Sequence, residues 1–236
     1  MKNRILCIVG GTCTGKSTLL DKITSDNEFM EKNNLKKLVY STTRKKRDDE
    51  IDGVDYHFKT NDEYIEDRNN HDIIEVRDYE TKAEGMVEFY TQKSSIQKGS
   101  NYICTASPMQ AAAYICTLGD EFDIELFILH TDELVRVIRG IERICNNNIS
   151  ADDKNKAAVD ICRRIVDEDE ENEEFAKFCD DQFAKGNYNF YMEKRENNNE
   201  QDLLRNTIDI KNRIKVIKIA QDVENTSSQY MYKFTS

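Results

Sequence analysis

Three observations predict an α/β fold built on a parallel sheet. First, Arg4–Val9, "RILCIV", is an unbroken apolar run, as expected of a strand covered on both faces. Second, two further apolar runs, Asn101–Thr105 ("NYICT") and Asp123–Leu129 ("DIELFIL"), are each followed by helical spacing. Third, the chain of 236 residues has a single proline and no internal repeat, and is long enough to bury a real core.

The elements follow in order. After the first strand come glycines and then "KSTLLDKI", spaced as a helix. Residues from about Lys37 to Thr91 are rich in Tyr, Asp and Glu and are expected to form short antiparallel strands, an insert outside the core layer. Beyond the second core strand, Ser107–Pro108 has the form of an N-cap with proline at the first helical position, leading into "MQAAAYIC". The third core strand precedes an amphipathic helix, "TDELVRVIRGIER". "NNNISADDKNK", Asn146–Lys156, is expected as a polar loop and a candidate mobile segment. A long helix then begins at "AVDICRR"; its acidic run, Asp167–Glu174, is predicted to be a solvated face. "NFYM" offers a last strand and "DLLRNTIDIKNRIKVI" a closing helix, with a poorly ordered tail after it.

Composition narrows the function classes. The formal net charge is −11, which argues against general binding to DNA or RNA. No run approaches the ~20 apolar residues needed to span a bilayer, so no membrane partner is expected. The N-terminal apolar run ends at a double glycine without a cleavage site, and reads as a strand and not a signal peptide. Seven scattered cysteines lack any C-x-x-C pair, and the three histidines stand alone; reduced thiols in a cytoplasmic setting are expected, without a zinc site.

"GGTCTGKS", Gly10–Ser17, fits G-x-x-x-x-G-K-[ST], between a buried strand and a helix. Glycines let the backbone form a nest whose N–H groups point at phosphate oxygens, and the helix start adds positive potential. Lys16 can reach the β- and γ-phosphates, and the Ser17 hydroxyl can ligate Mg²⁺. The candidate ATP-binding set is Gly10, Gly11, Thr12, Cys13, Thr14, Gly15, Lys16, Ser17 and Thr18, with Ser17 as metal ligand. A P-loop NTPase-type sheet is therefore predicted. The chain has no N-K-x-D motif, which disfavours a GTPase switch.

A second basic feature stands out on this acidic chain. "STTRKKRDDEIDGVDYHF", Ser41–Phe58, sets Arg44 and Arg47 three apart, with Tyr56 beyond. Guanidinium forks hold phosphate bidentately, so a phosphate pocket and a solvated basic turn are both open readings. At Thr42, Thr43, Arg44, Arg47, Glu50, Gly53, Asp55, Tyr56 and Phe58 this segment resembles the guanylate kinase family, about thirty residues after its P-loop. The resemblance implies ATP-dependent phosphoryl transfer to GMP or dGMP with Mg²⁺. It implies that Arg44, Arg47 and Tyr56 hold the acceptor phosphate, that Ser41 belongs to the same GMP site, and that Glu75 and Thr91 read the base. Arg139, Arg143 and Arg164 would close over the transferring group with Lys16 and Arg44, whereas Arg136 reads as ordinary helix charge.

The same resemblance divides the chain into a core at residues 1–36 and 92–222, an NMP-binding insert at 37–91, a lid at about 144–161 and a tail at 223–236. Three departures accompany it. Tyr40 stands at a serine position, Phe89 at a phosphate-binding tyrosine, and "ICTASPMQ" lacks the family's D-x-D acids. They leave two further readings: a kinase-like binding module, or a kinase for a modified nucleotide.

Overall fold

The computed structural model describes residues 2–47, 50–81, 85–146, 150–186 and 190–215. Strand β1 (Asn3–Val9) leads into helix α1 (Lys16–Thr24), followed by α2 (Asn27–Lys32) and a short strand β2 (Leu35–Lys37). The insert holds β3 (Tyr40–Thr42), β4 (Tyr56–Phe58), α3 (Asn61–Asn69), β5 (Ile73–Thr81) and β6 (Gly85–Gln92). The core resumes with β7 (Asn101–Ala106), α4 (Pro108–Leu118), β8 (Phe122–His130), α5 (Glu133–Asn146), α6 (Ala151–Ala184) and β9 (Phe190–Glu196). A closing helix, α7, covers residues 200–215.

The five core strands run in the order β2-β7-β1-β8-β9, every pairing parallel. Alternate residues of the central strand face opposite layers, which is why its sequence is apolar throughout. Ile5, Cys7 and Val9 pack under α4 and α6, with Tyr114, Ile115 and Phe175. Leu6 and Ile8 pack with Leu19 and Ile23 of α1 and Ile210 and Ile214 of α7. The fold is the expected doubly covered parallel sheet. Ser107 caps α4 with Pro108 in its first turn, as the sequence indicates.

The insert differs from expectation in two ways. Its sheet, ordered β4-β3-β6-β5, is mixed: β3 pairs with β6 antiparallel but with β4 in parallel. A parallel neighbour requires a long connection, and the Arg44–Asp55 segment supplies it. The insert also contains a helix, α3. Thr60 accepts from the Glu63 N–H while the Glu63 carboxylate accepts from Thr60, a reciprocal box that starts a helix whatever its apolar pattern.

The stretch expected as a polar loop is helical from Ala151, because Ser150 caps it by accepting from the Asp153 N–H. Residues 147–149 of that stretch lie outside the described set, as does the tail. Helices α5 and α6 approach closely at Gly140, where a Cβ would meet Ile161 Cγ2 at 2.7 Å and Cys13 Sγ at 3.3 Å. That contact sets α6 beside the glycine loop.

Candidate active site

The loop from Gly10 to Gly15 turns out of β1 with Cys13 and Gly15 at positive φ, 61° and 92°. Only glycine adopts the second without strain, and it is the residue that opens α1. The Lys16 ammonium lies back over the loop, donating to the Gly10 carbonyl at 2.6 Å and the Gly11 carbonyl at 2.7 Å. Ser17 and Thr18 are exposed at the start of α1. Burial pushes the Lys16 pKa down to about 8, with Glu168 opposing the fall and Arg77 and Arg136 adding to it.

The mouth of the loop holds a carboxylate. The Thr12 N–H donates to both Glu168 oxygens at 2.8 Å, and the Thr12 hydroxyl donates to Oε1 at 2.5 Å. Arg136 makes a short ion pair with the same carboxylate, and its Nε donates to the Thr12 carbonyl at 2.8 Å. Arg136 is 5% exposed, so it belongs to the loop and is not the simple helix charge expected of it. Its clue lies in the sequence: it is one turn before Arg139, on the helix that leaves the strand beside β1. Glu168 gives no such clue, being one acid within Asp167–Glu174.

A cavity of about 320 Å³ opens here, lined by Lys16, Arg77, Thr105, Gln110, Arg164 and Glu168 among others. A larger one, about 810 Å³, lies between the loop, the ends of β8 and β9, and α6. The smaller is the one that Lys16 lines. Arg77, on β5, brings the insert sheet to it; its Nε is buried without a hydrogen-bond partner.

Arg44 and Arg47 do not line that cavity. Arg44 is 9% exposed and grips Glu50 with both terminal guanidinium nitrogens, at 3.0 and 2.6 Å. Its guanidinium lies 5.5 Å from the Tyr56 ring centre and 5.7 Å from that of Phe58. The Arg44 hydrogen bond holds the Glu50 carboxyl down at about 2, helped by the Arg47 N–H, which donates at 2.8 Å. The Arg47 side chain is exposed. The Ser41 hydroxyl is buried and donates to Gln92 Oε1 at 2.7 Å, facing into the insert. Phe89 stacks edge-on with Tyr56 at 5.5 Å between ring centres.

Glu75 and Thr91 do meet: opposite each other on β5 and β6, they share a hydrogen bond of 2.8 Å. Gln110, from the first turn of α4, donates to the same Glu75 oxygen at 2.8 Å, and the Thr91 hydroxyl also touches that of Tyr114 at 2.8 Å. Gln110 fills space near the end of β7, where the sequence lacks acids. Tyr40 fills more of it: burial raises its phenol pKa well above normal, and its hydroxyl bonds the Thr105 carbonyl. The S-x-x-Q spacing at Ser107 signals Gln110's place at the helix start but not its reach to Glu75.

The remaining arginines divide. Arg139 approaches the loop, donating to the Thr14 carbonyl at 3.5 Å. Arg164 lines the smaller cavity and pairs with Asp160 at 3.4 Å. Arg143 is exposed on α5, away from both cavities. The Ser17 hydroxyl suits Mg²⁺, which takes one or two protein oxygens and draws the rest from phosphate and water. Among the described residues, His130, Asp132 and Glu196 also bring metal-ligating atoms within 4.8 Å of one another, all exposed.

Comparison with known proteins bears on these features. The guanylate kinase family model matches residues 2–142. The chain is 41% identical over 81 residues to a guanylate kinase of Lactococcus lactis, covering 34% of this chain and 37% of that one. It is 27% identical over 139 residues to a guanylate kinase of Mycoplasma capricolum, covering 59% and 45% respectively. The chain thus spans under half the length of these curated relatives. A crystal structure of guanylate kinase from Anaplasma phagocytophilum aligns with 92% of this chain and 87% of its own, at 14% identity and a TM-score of 0.47. With more than half its length matched by one family model, and the glycine loop, Arg44 segment and Glu75–Thr91 pair all inside the match, this chain belongs to the guanylate kinase family.

Proposed function

We propose that the protein transfers the γ-phosphoryl group of ATP to GMP or dGMP. One observation carries the reading: the cavity that holds Lys16 is also lined by Gln110, whose amide is bonded to Glu75. The glycine loop therefore shares one space with the amide that bonds Glu75, a carboxylate suited to the N1–H and N2–H of guanine. Adenine, which presents an acceptor at N1, would be repelled there.

The chain need do little covalent chemistry. An oxygen of the acceptor phosphate attacks the γ-phosphorus, a new P–O bond forms, and the bond to the bridging oxygen of ADP breaks. The protein holds the two anions in line, screens their repulsion and keeps water away. The loop amides and Lys16 bind the donor, with Arg136, Arg139 and Arg164 around the transferring group. Arg44, Arg47 and Tyr56 take the acceptor phosphate, for which Arg44 exchanges its bond to Glu50 for one to the ligand. Ser17 would hold Mg²⁺, which when bound would supply charge neutralisation to the phosphates.

A coupled assay of ADP release over all common NMPs and dNMPs tests this. Turnover with GMP or dGMP and only background with AMP, CMP and UMP is the expected result. ATP binding without turnover on any acceptor would instead identify a binding module.

A further inference from the structure

The glycine loop is already holding an anion, and that anion is part of the chain. Glu168 receives the Thr12 N–H and hydroxyl and the Arg136 guanidinium, the groups that a phosphate oxygen would use. A Cβ on Gly11 would collide with both its carboxylate and Arg136, so the bareness of Gly11 serves this contact. Ile161 and Ile165, on the same helix, pack with Ile144 of α5, so the carboxylate is delivered by a seated helix and not by a free side chain. Arg164 precedes Glu168 by one helical turn and borders the same cavity.

We propose that Glu168 is a specificity-determining residue of the donor site, an internal competitor that admits polyphosphates and excludes single phosphates. The proposal rests on the reading of Gly10–Ser17 as the donor site. A tethered carboxylate competes at a high effective concentration. A ligand displaces it only by offering more than the loop already has. Inorganic phosphate would replace one small anion by another, at the cost of freeing Glu168 into a cavity lined by Asp167 and Glu171. A diphosphate or triphosphate spans the loop and engages Lys16, Arg136 and Arg164 together, which one carboxylate cannot do. Lys16, which donates to the Gly10 and Gly11 carbonyls, turns from them to meet the incoming oxygens.

Calorimetric titration of the full chain with ATP, pyrophosphate and inorganic phosphate tests the proposal. The variants are Glu168→Gln, Glu168→Ala and, as a control for charge alone, Glu174→Gln, an exposed acid on the same helix. Losing the charge-assisted bonds should tighten pyrophosphate and ATP by about tenfold or more in the Glu168 variants. Inorganic phosphate should bind measurably only in those variants, and Glu174→Gln should match the wild type. Unchanged dissociation constants in correctly folded Glu168 variants, or equal tightening in Glu174→Gln, overturn the proposal. Failure of every protein to bind ATP or pyrophosphate overturns the donor-site reading itself. Hydrogen exchange on the wild type needs no substitution: pyrophosphate should deprotect residues 160–174 while protecting Gly10–Ser17, and unchanged exchange in α6 counts against displacement.

Discussion

Lys16 and Glu50 carry the clearest pH signatures. Lys16 has its pKa lowered from 10.5 to about 8 by burial, so the folded state binds fewer protons than the unfolded chain between those values. Stability from this group therefore rises with pH across that window, and the rise should vanish in Lys16→Met. Donor binding moves the other way. Under the proposed function the Lys16 ammonium would meet the donor phosphate and is lost above pH 8, so kcat/KM for ATP should fall there with an apparent pKa of about 8. Glu50 is the opposite case, lowered from 4.5 to about 2 by Arg44; its contribution is complete above 4.5 and fades as pH falls toward 2. At neutral pH it competes for Arg44 undiminished. Arg44→Ala should consequently raise the acceptor KM about tenfold to a hundredfold, with the ATP KM nearly unchanged, in initial-rate measurements.

Helix starts do much of the positioning at the scale of elements. The first turn of α4 is closed by a reciprocal box in which Gln110 bonds the Ser107 N–H through its oxygen, while its nitrogen reaches Glu75. The helix cap and the Glu75 carboxylate are one network. Gln110→Ala should cost about 1 kcal/mol in urea denaturation and raise the acceptor KM, leaving that for ATP alone. Thr60→Ala, which opens the comparable box on α3, should cost about as much stability without moving either KM. Equal kinetic effects from both would mean that the insert responds only to general loosening.

At the scale of the whole molecule, the sheet and its last helix are joined through one buried acid. Glu125 on β8 is fully buried, with Arg4 of β1 on one oxygen and Arg213 of α7 at 3.2 Å on the other. Removing one member of a buried ion pair is expensive, because the desolvated partner charge remains. Glu125→Ala should lower the unfolding free energy by about 3 kcal/mol, read as a lower urea midpoint at unchanged slope. Activity per folded molecule should persist, since this network sits at the end of the sheet away from Lys16.

Much of this molecule is legible along the chain. The apolar runs of β1, β7 and β8 need two covered faces, the glycine loop needs its strand and helix, and Ser107–Pro108 states its own helix start; these are local constraints. The parallel β3–β4 pairing was hidden because register depends on the path of the connection. Helix α6 was expected to start later, although Ser150 and Asp153 carried the signal. What only tertiary structure decided is which charges meet. Opposite charges attract through space and not along the chain, so one acid in the run Asp167–Glu174 could be assigned to the glycine loop, Arg136 to its carbonyl and Arg44 to Glu50 only after the sheet and helices had brought them together.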